Sequence, residues 1–217
     1  MRSASIVFFV AFILLLSTIA PAQPSGTAGL SGVVYPAGAT VSLVSETGQK
    51  ATVTTARDGR YEFGALPEGK YVFQASAPGY ASDALEVRIS GERRAVQNVR
   101  LLYISRIDGI DWSKGIIRAT GRGMYPADSP NRPAAREMAK RAALSDAERN
   151  LLWIVEQIKV GPDQDLAPLI ARSYTVRIRG FLQGFRVVGE RETGTGVEVE
   201  LELPLTGQSG LTRYISD

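Results

Sequence analysis

The chain of 217 residues carries 25 Lys and Arg against 22 Asp and Glu, a formal net charge of +3, too small an excess for a nucleic-acid footprint. It holds neither histidine nor cysteine, which removes the usual general base, the commonest metal ligand, thiol chemistry, disulfides and any acylated-cysteine anchor. What length remains is enough for two small domains, each with its own core.

The chain opens Met1-Arg2, runs through "IVFFVAFILLL" and reaches Ala20-Pro21-Ala22 before Gln23. That is the layout of a secretory signal peptide, expected over residues 1–22. The apolar run from Ile6 to Ala20 is shorter than the roughly 20 residues a spanning helix needs. Cleavage would take Arg2 with it and leave a periplasmic or secreted chain. Without cysteine, its stability must come from ordinary cores.

From Gly29 to about Tyr103 short β-rich runs alternate with turn residues: "GVVY", "ATVSLVS", "KATVTTA", "RYEFGAL", "KYVFQASA", "ALEVRIS" and "AVQNVRLL". This rhythm predicts an all-β sandwich over residues 28–103. Alternation puts Tyr61 and Phe63 on one face and Arg60 and Glu62 on the other; Tyr71 and Phe73 repeat the inward pattern. The turns are Asp58-Gly59 and Pro67-Glu68-Gly69.

Gly38, Ala39, Thr40, Asp58, Gly59, Phe63, Leu66, Pro67, Gly69, Tyr71, Gly79 and Tyr80, at their spacing, resemble the carboxypeptidase regulatory-like domain. That resemblance implies an immunoglobulin-like, transthyretin-like sandwich with a non-catalytic accessory role, and it brings no catalytic residues.

Residues 104–114, "ISRIDGIDWSK", read as a linker or a first short strand. A second rhythm follows over residues 115–205. "GIIRATGRGMYP" alternates as a strand, "ADSPNRP" breaks it, and "AAREMAKRAALSDAERNLLWIV" has helical periodicity to about Lys159. "DLAPLIARS" predicts a short helix capped by Asp165, and "YTVRIRG", "GFRVVGERE" and "GVEVELELPL" predict strands. The order β-α-α-β-β predicts a small α+β domain, one main helix on an antiparallel sheet. Residues 206–217 carry no clear pattern and read as a flexible tail.

On a helical wheel Ala139, Ala143, Ala147, Leu151, Ile154 and Ile158 form one stripe, and Glu137 pairs with Arg141 on a solvated face. Ile117, Ala119, Gly121 and Gly123 share a strand face, so small residues meet small residues and the two backbones approach closely. Trp153, beside the stripe, is assigned to the core, and Leu152 to extra coverage or a partner surface. Ala119, Gly121, Gly123, Ala139, Ala143, Asp146, Ala147, Asn150 and Leu151 resemble the LPP-twenty family of bacterial envelope lipoproteins. More distantly they resemble the N-terminal domain of the flagellar assembly protein T. The lipoproteins carry an acylated cysteine, and this chain has none.

The sheet face away from the helix must be solvated or used. It is expected to carry Arg118, Arg122, Arg177, Arg179, Glu198, Glu200 and Glu202. These read either as cross-strand solubilising ladders or as a charged docking surface for an envelope partner. Carboxylates about 6.8 Å apart on one strand do not make a calcium site without other ligands. Trp112, in "DGIDWSKG", is either an interdomain wedge or a ligand platform.

Asp108/Asp111, Asp163/Asp165 and Ser113-Lys114 lie in turn-rich stretches and do not converge on a site. The expectation is therefore a non-enzymatic exported envelope protein without cofactors, serving as an interaction or assembly module for outer-membrane or flagellar structures. The alternative is a carbohydrate- or peptidoglycan-binding protein acting through the sandwich, which would need exposed coplanar aromatics.

Overall fold

The computed structural model describes residues 28–91, 94–129, 131–168 and 181–216. The signal peptide expected over residues 1–22 and the strand expected over residues 174–180, with Arg177 and Arg179, lie outside the described residues.

The described chain is mostly β-sheet with few helices, in keeping with an immunoglobulin-like sandwich in its first half. One sheet has the order β3-β2-β5-β6, from strands β2 (Thr40–Ser45), β3 (Lys50–Thr54), β5 (Gly69–Ser76) and β6 (Asp83–Ile89), all antiparallel. The other centres on β1 (Ala28–Tyr35), which pairs antiparallel with β4 (Arg60–Leu66) and parallel with β7 (Arg94–Val96) and β8 (Val99–Arg100).

The alternating aromatics fill the space between the sheets: Tyr61, Phe63, Tyr71 and Phe73 are all buried. Tyr61 stands edge-on to Phe63 with centroids 5.9 Å apart. Gly59 turns the chain into β4 at φ 80°, a conformation only glycine adopts without strain. The last expected strand is split at Gln97-Asn98. There the Asn98 side-chain oxygen accepts the Val33 N–H at 3.0 Å, and the Gln97 carbonyl accepts the Tyr61 hydroxyl at 2.7 Å.

A second hydrophobic cluster begins one residue after the first ends: Leu101 belongs to the sandwich core and Leu102 to the next. A four-stranded antiparallel sheet runs in the order β13-β14-β10-β9, built from β9 (Ile110–Asp111), β10 (Ile116–Met124), β13 (Arg186–Glu192) and β14 (Gly196–Pro204). A short pair, β11 (Lys159–Gly161) and β12 (Gln164–Asp165), lies beside it in sequence.

Helix α1 (Arg132–Glu156) covers one sheet face. Its N-cap is Asn131, whose side-chain oxygen accepts the Ala134 N–H at 2.8 Å, with Pro133 in the first turn where its missing N–H costs nothing. Ala139, Ala143, Ala147, Leu151 and Ile154 face the sheet and are buried. A methyl group on Gly121 would fall onto the Ala143 carbonyl and the Ala147 N–H, and one on Gly123 onto the Ala139 carbonyl. The two glycines let the backbones touch.

Several sequence expectations need correction. Trp153 is 61% exposed, not core. It lies on the flank of α1 that carries Asp146, beyond β10, and β9 pairs only with Ile116 and Ile117, so among the described residues no strand extends the sheet under that flank. The α1 cations Arg136 and Lys140 reach across to Glu190 on β13 at 2.9 and 2.7 Å, where Glu137–Arg141 pairing was expected. Asp165 pairs with Lys159 in β12, and the short helix it was expected to cap runs into residues outside the described ones.

The closing segment is not loose. Leu211 is fully buried, and a helical turn, α2 (Thr212–Ile215), brings Tyr214 against Phe181 at 5.4 Å between centroids. The Gly207 N–H donates to the buried Asp83 carboxylate at 2.5 Å, and the Arg100 N–H donates to Ser216 Oγ at 2.8 Å. Its apolar side chains, invisible to periodicity because they sit in irregular backbone, tie it to both units.

Candidate interaction surface

The outer face of the second sheet is set by register. On β10 and β14, Arg118 lies opposite Glu202, Thr120 opposite Glu200 and Arg122 opposite Glu198. On β13, Arg186 lies opposite Glu202, Gly189 opposite Glu200 and Arg191 opposite Glu198. Five of the residues expected on this face are therefore brought together: Arg118, Arg122, Glu198, Glu200 and Glu202.

Two more cations complete it, Arg186 and Arg191, which strict alternation places on opposite faces because one number is even and the other odd. The β-bulge between Val187 and Gly189 adds one residue and restores them to the same face. Only the "VVG" before Glu190 hints at such an irregularity.

Each of two glutamates is thus clasped by two arginines, one from each neighbouring strand. Glu202 accepts Arg118 Nη2 at 2.9 Å and Arg186 Nη2 at 2.6 Å. Glu198 accepts Arg122 Nε at 3.0 Å and Arg191 Nη2 at 2.9 Å. The hydrogen bond from Arg118 leads in holding the Glu202 carboxyl below the usual carboxylate range, with Arg186 assisting. For Glu198, Arg191 leads and Arg122 assists. Reciprocally, the Glu202 hydrogen bond raises the Arg118 guanidinium.

Burial differs across each cluster. The Glu202 and Glu198 side chains are 10% and 19% exposed, while the arginines range from 49% to 81%. The carboxylates lie beneath and the guanidiniums face solvent.

Trp112 stands apart from this face. Its indole N–H donates to the Ser105 carbonyl at 2.7 Å, and its ring is half-buried against the second hydrophobic cluster alone, neither a wedge between the cores nor an open platform. Ser113 is tied to its own turn, its hydroxyl donating to Asp111 at 2.6 Å. That bond is the main reason the Asp111 carboxyl sits low. Leu152, with Leu151, Leu182 and Phe185, lines a groove of about 580 Å³ beside α1. Among the described residues no group of three or more acidic side chains is placed to hold a metal ion.

No curated protein matches the chain. Residues 31–102, the sandwich from Ser31 to Leu102, match the carboxypeptidase regulatory-like domain.

Proposed function

We propose that this chain is a non-enzymatic exported envelope protein, an interaction or assembly module in which a regulatory-like sandwich is joined to a small α+β unit. The observation that carries the reading is the layered charge of the outer sheet face: four solvent-facing guanidiniums oriented by two carboxylates beneath them. Guanidiniums held in this way lose little freedom on meeting a partner, and pre-organisation of that kind favours recognition. Further support comes from the match of residues 31–102, whose type is regulatory; that residues 115–205 are akin to envelope lipoproteins is part of the proposal and rests on the resemblance of their sequence alone.

Export rests on the leader-like residues 1–22, with the periplasm as the proposed compartment. The glycan-binding alternative gains nothing from the sandwich aromatics, since Tyr61, Phe63, Tyr71 and Phe73 fill the core. Chemical cross-linking in intact cells tests the reading. Envelope proteins should be recovered with the chain; recovery of the free chain alone, at native abundance, overturns it.

A further inference from the structure

We propose that the outer face of β13, β14 and β10 docks an extended acidic segment of a partner protein, with carboxylates at positions i and i+4 and a neutral or basic side chain at i+2. This deepens the interaction-module reading and rests on it.

The spacing comes from β14. Glu198 and Glu202 are four residues apart, so the two arginine pairs they hold are separated by about 13–14 Å. Side chains on one side of an extended peptide recur every two residues, about 6.8 Å, so positions i and i+4 reach both pairs. Position i+2 then lies over Glu200 and Thr120, between the pairs. A carboxylate there meets a like charge; a lysine, threonine or serine meets an acceptor.

The arginines have donors to spare. Each guanidinium offers five N–H donors. Arg122, Arg186 and Arg191 each place one hydrogen bond on a glutamate, and Arg118 places two on Glu202. The remaining N–H groups can form the bidentate pairs for which guanidinium and carboxylate are shaped. An anionic bilayer is a poorer fit. Among the described residues the four arginines and three glutamates of β10, β13 and β14 leave one positive charge in excess, and a membrane reads the sum while a peptide reads positions.

The test uses the purified full chain and fluorescently labelled peptides in anisotropy titrations. A Glu-Thr-Lys-Thr-Glu core should bind about tenfold more tightly than a peptide of the same composition with adjacent glutamates, because only the first spans both bidentate sites. Replacing its lysine with glutamate should weaken binding, and Glu200→Lys should reverse that preference. Arg122→Gln with Arg191→Gln, at positions more than two-thirds exposed, should abolish the register preference while the circular-dichroism spectrum stays that of the folded chain.

Equal binding of both peptides, or a charge exchange at Glu200 that reverses nothing, overturns the proposal. So does tighter, arginine-dependent binding to phosphatidylglycerol vesicles, which would make a lipid surface the occupant. If cellular cross-links to envelope proteins survive the double arginine variant, this docking mode fails while the module reading stands. If no such cross-links form in the wild type, the module reading itself fails.

Discussion

The Asp146 carboxylate on α1 accepts the backbone N–H of Arg122 on β10 at 3.0 Å. One turn further on, the Asn150 amide donates to the Thr120 carbonyl at 2.8 Å. Two helix side chains thereby satisfy backbone groups on the edge of β10 beyond the end of β9, an edge that no other strand pairs among the described residues. An edge left bare invites pairing with another chain. Asp146→Ala and Asn150→Ala should each cost about 1 kcal/mol, the typical worth of one such bond. Hydrogen exchange should show lost protection at the Arg122 amide in the first variant. Unchanged protection there would mean that the carboxylate does not hold the edge.

The glycines of β10 set the depth of the helix contact. Gly123→Ala would drive a methyl group into the Ala139 carbonyl, and Ala143→Leu would push from the other side. Each should destabilise by about 1–3 kcal/mol through overpacking. Thermal unfolding reads this directly, since 1 kcal/mol moves the midpoint of a cooperative unit the size of the full chain by roughly 2–4 °C. Melting at the wild-type temperature would contradict the close approach.

Acid should act through the paired glutamates. Glu190, Glu192, Glu198 and Glu202 are all held below the usual carboxylate range, led by hydrogen bonds from Lys140, Tyr125, Arg191 and Arg118 respectively. A carboxyl lowered in the folded state binds fewer protons there than when unfolded. Its contribution is complete above the ordinary glutamate value of about 4.3 and is lost as pH falls through the lower folded value. Stability should therefore be flat from neutrality down to about pH 5 and decline below it. In a Glu198→Gln, Glu202→Gln variant the decline should be shallower. An equally steep decline in the variant would remove the ladder from the explanation.

The closing segment should couple the two units. Leu211→Ala, at a fully buried position, should cost about 2–5 kcal/mol. Deleting residues 206–217 removes the Gly207–Asp83 and Ser216–Arg100 bonds together. Calorimetry of that deletion should resolve two transitions where the full chain gives one. A single cooperative transition in both would show that the segment is not what couples them.

Much of the fold was legible because it rests on strict periods. Alternation located Tyr61, Phe63, Tyr71 and Phe73 in the core, and the 3.6-residue period located Ala139, Ala143, Ala147 and Leu151. What escaped lies where period breaks down or where facts are tertiary. The bulge at Val188 hid the partnership of Arg186 and Arg191 with the glutamate row. Trp153 falls near the apolar stripe on a wheel, but burial depends on where the sheet ends, and β9 is two residues long. Leu211 has no periodic neighbours to announce it, so the last segment read as a tail. Asp146 and Asn150 were conspicuous in the sequence, yet their role needs the position of the β10 edge.

The most direct test of docking through the arginine face is photo-crosslinking in living cells from single positions on the second unit. A photoreactive residue at Thr120, exposed on the outer face between the two arginine pairs, should capture envelope proteins, and one at Arg141, exposed on the helix side, should not. Equal capture from both sides, or none from the arginine face, would contradict it.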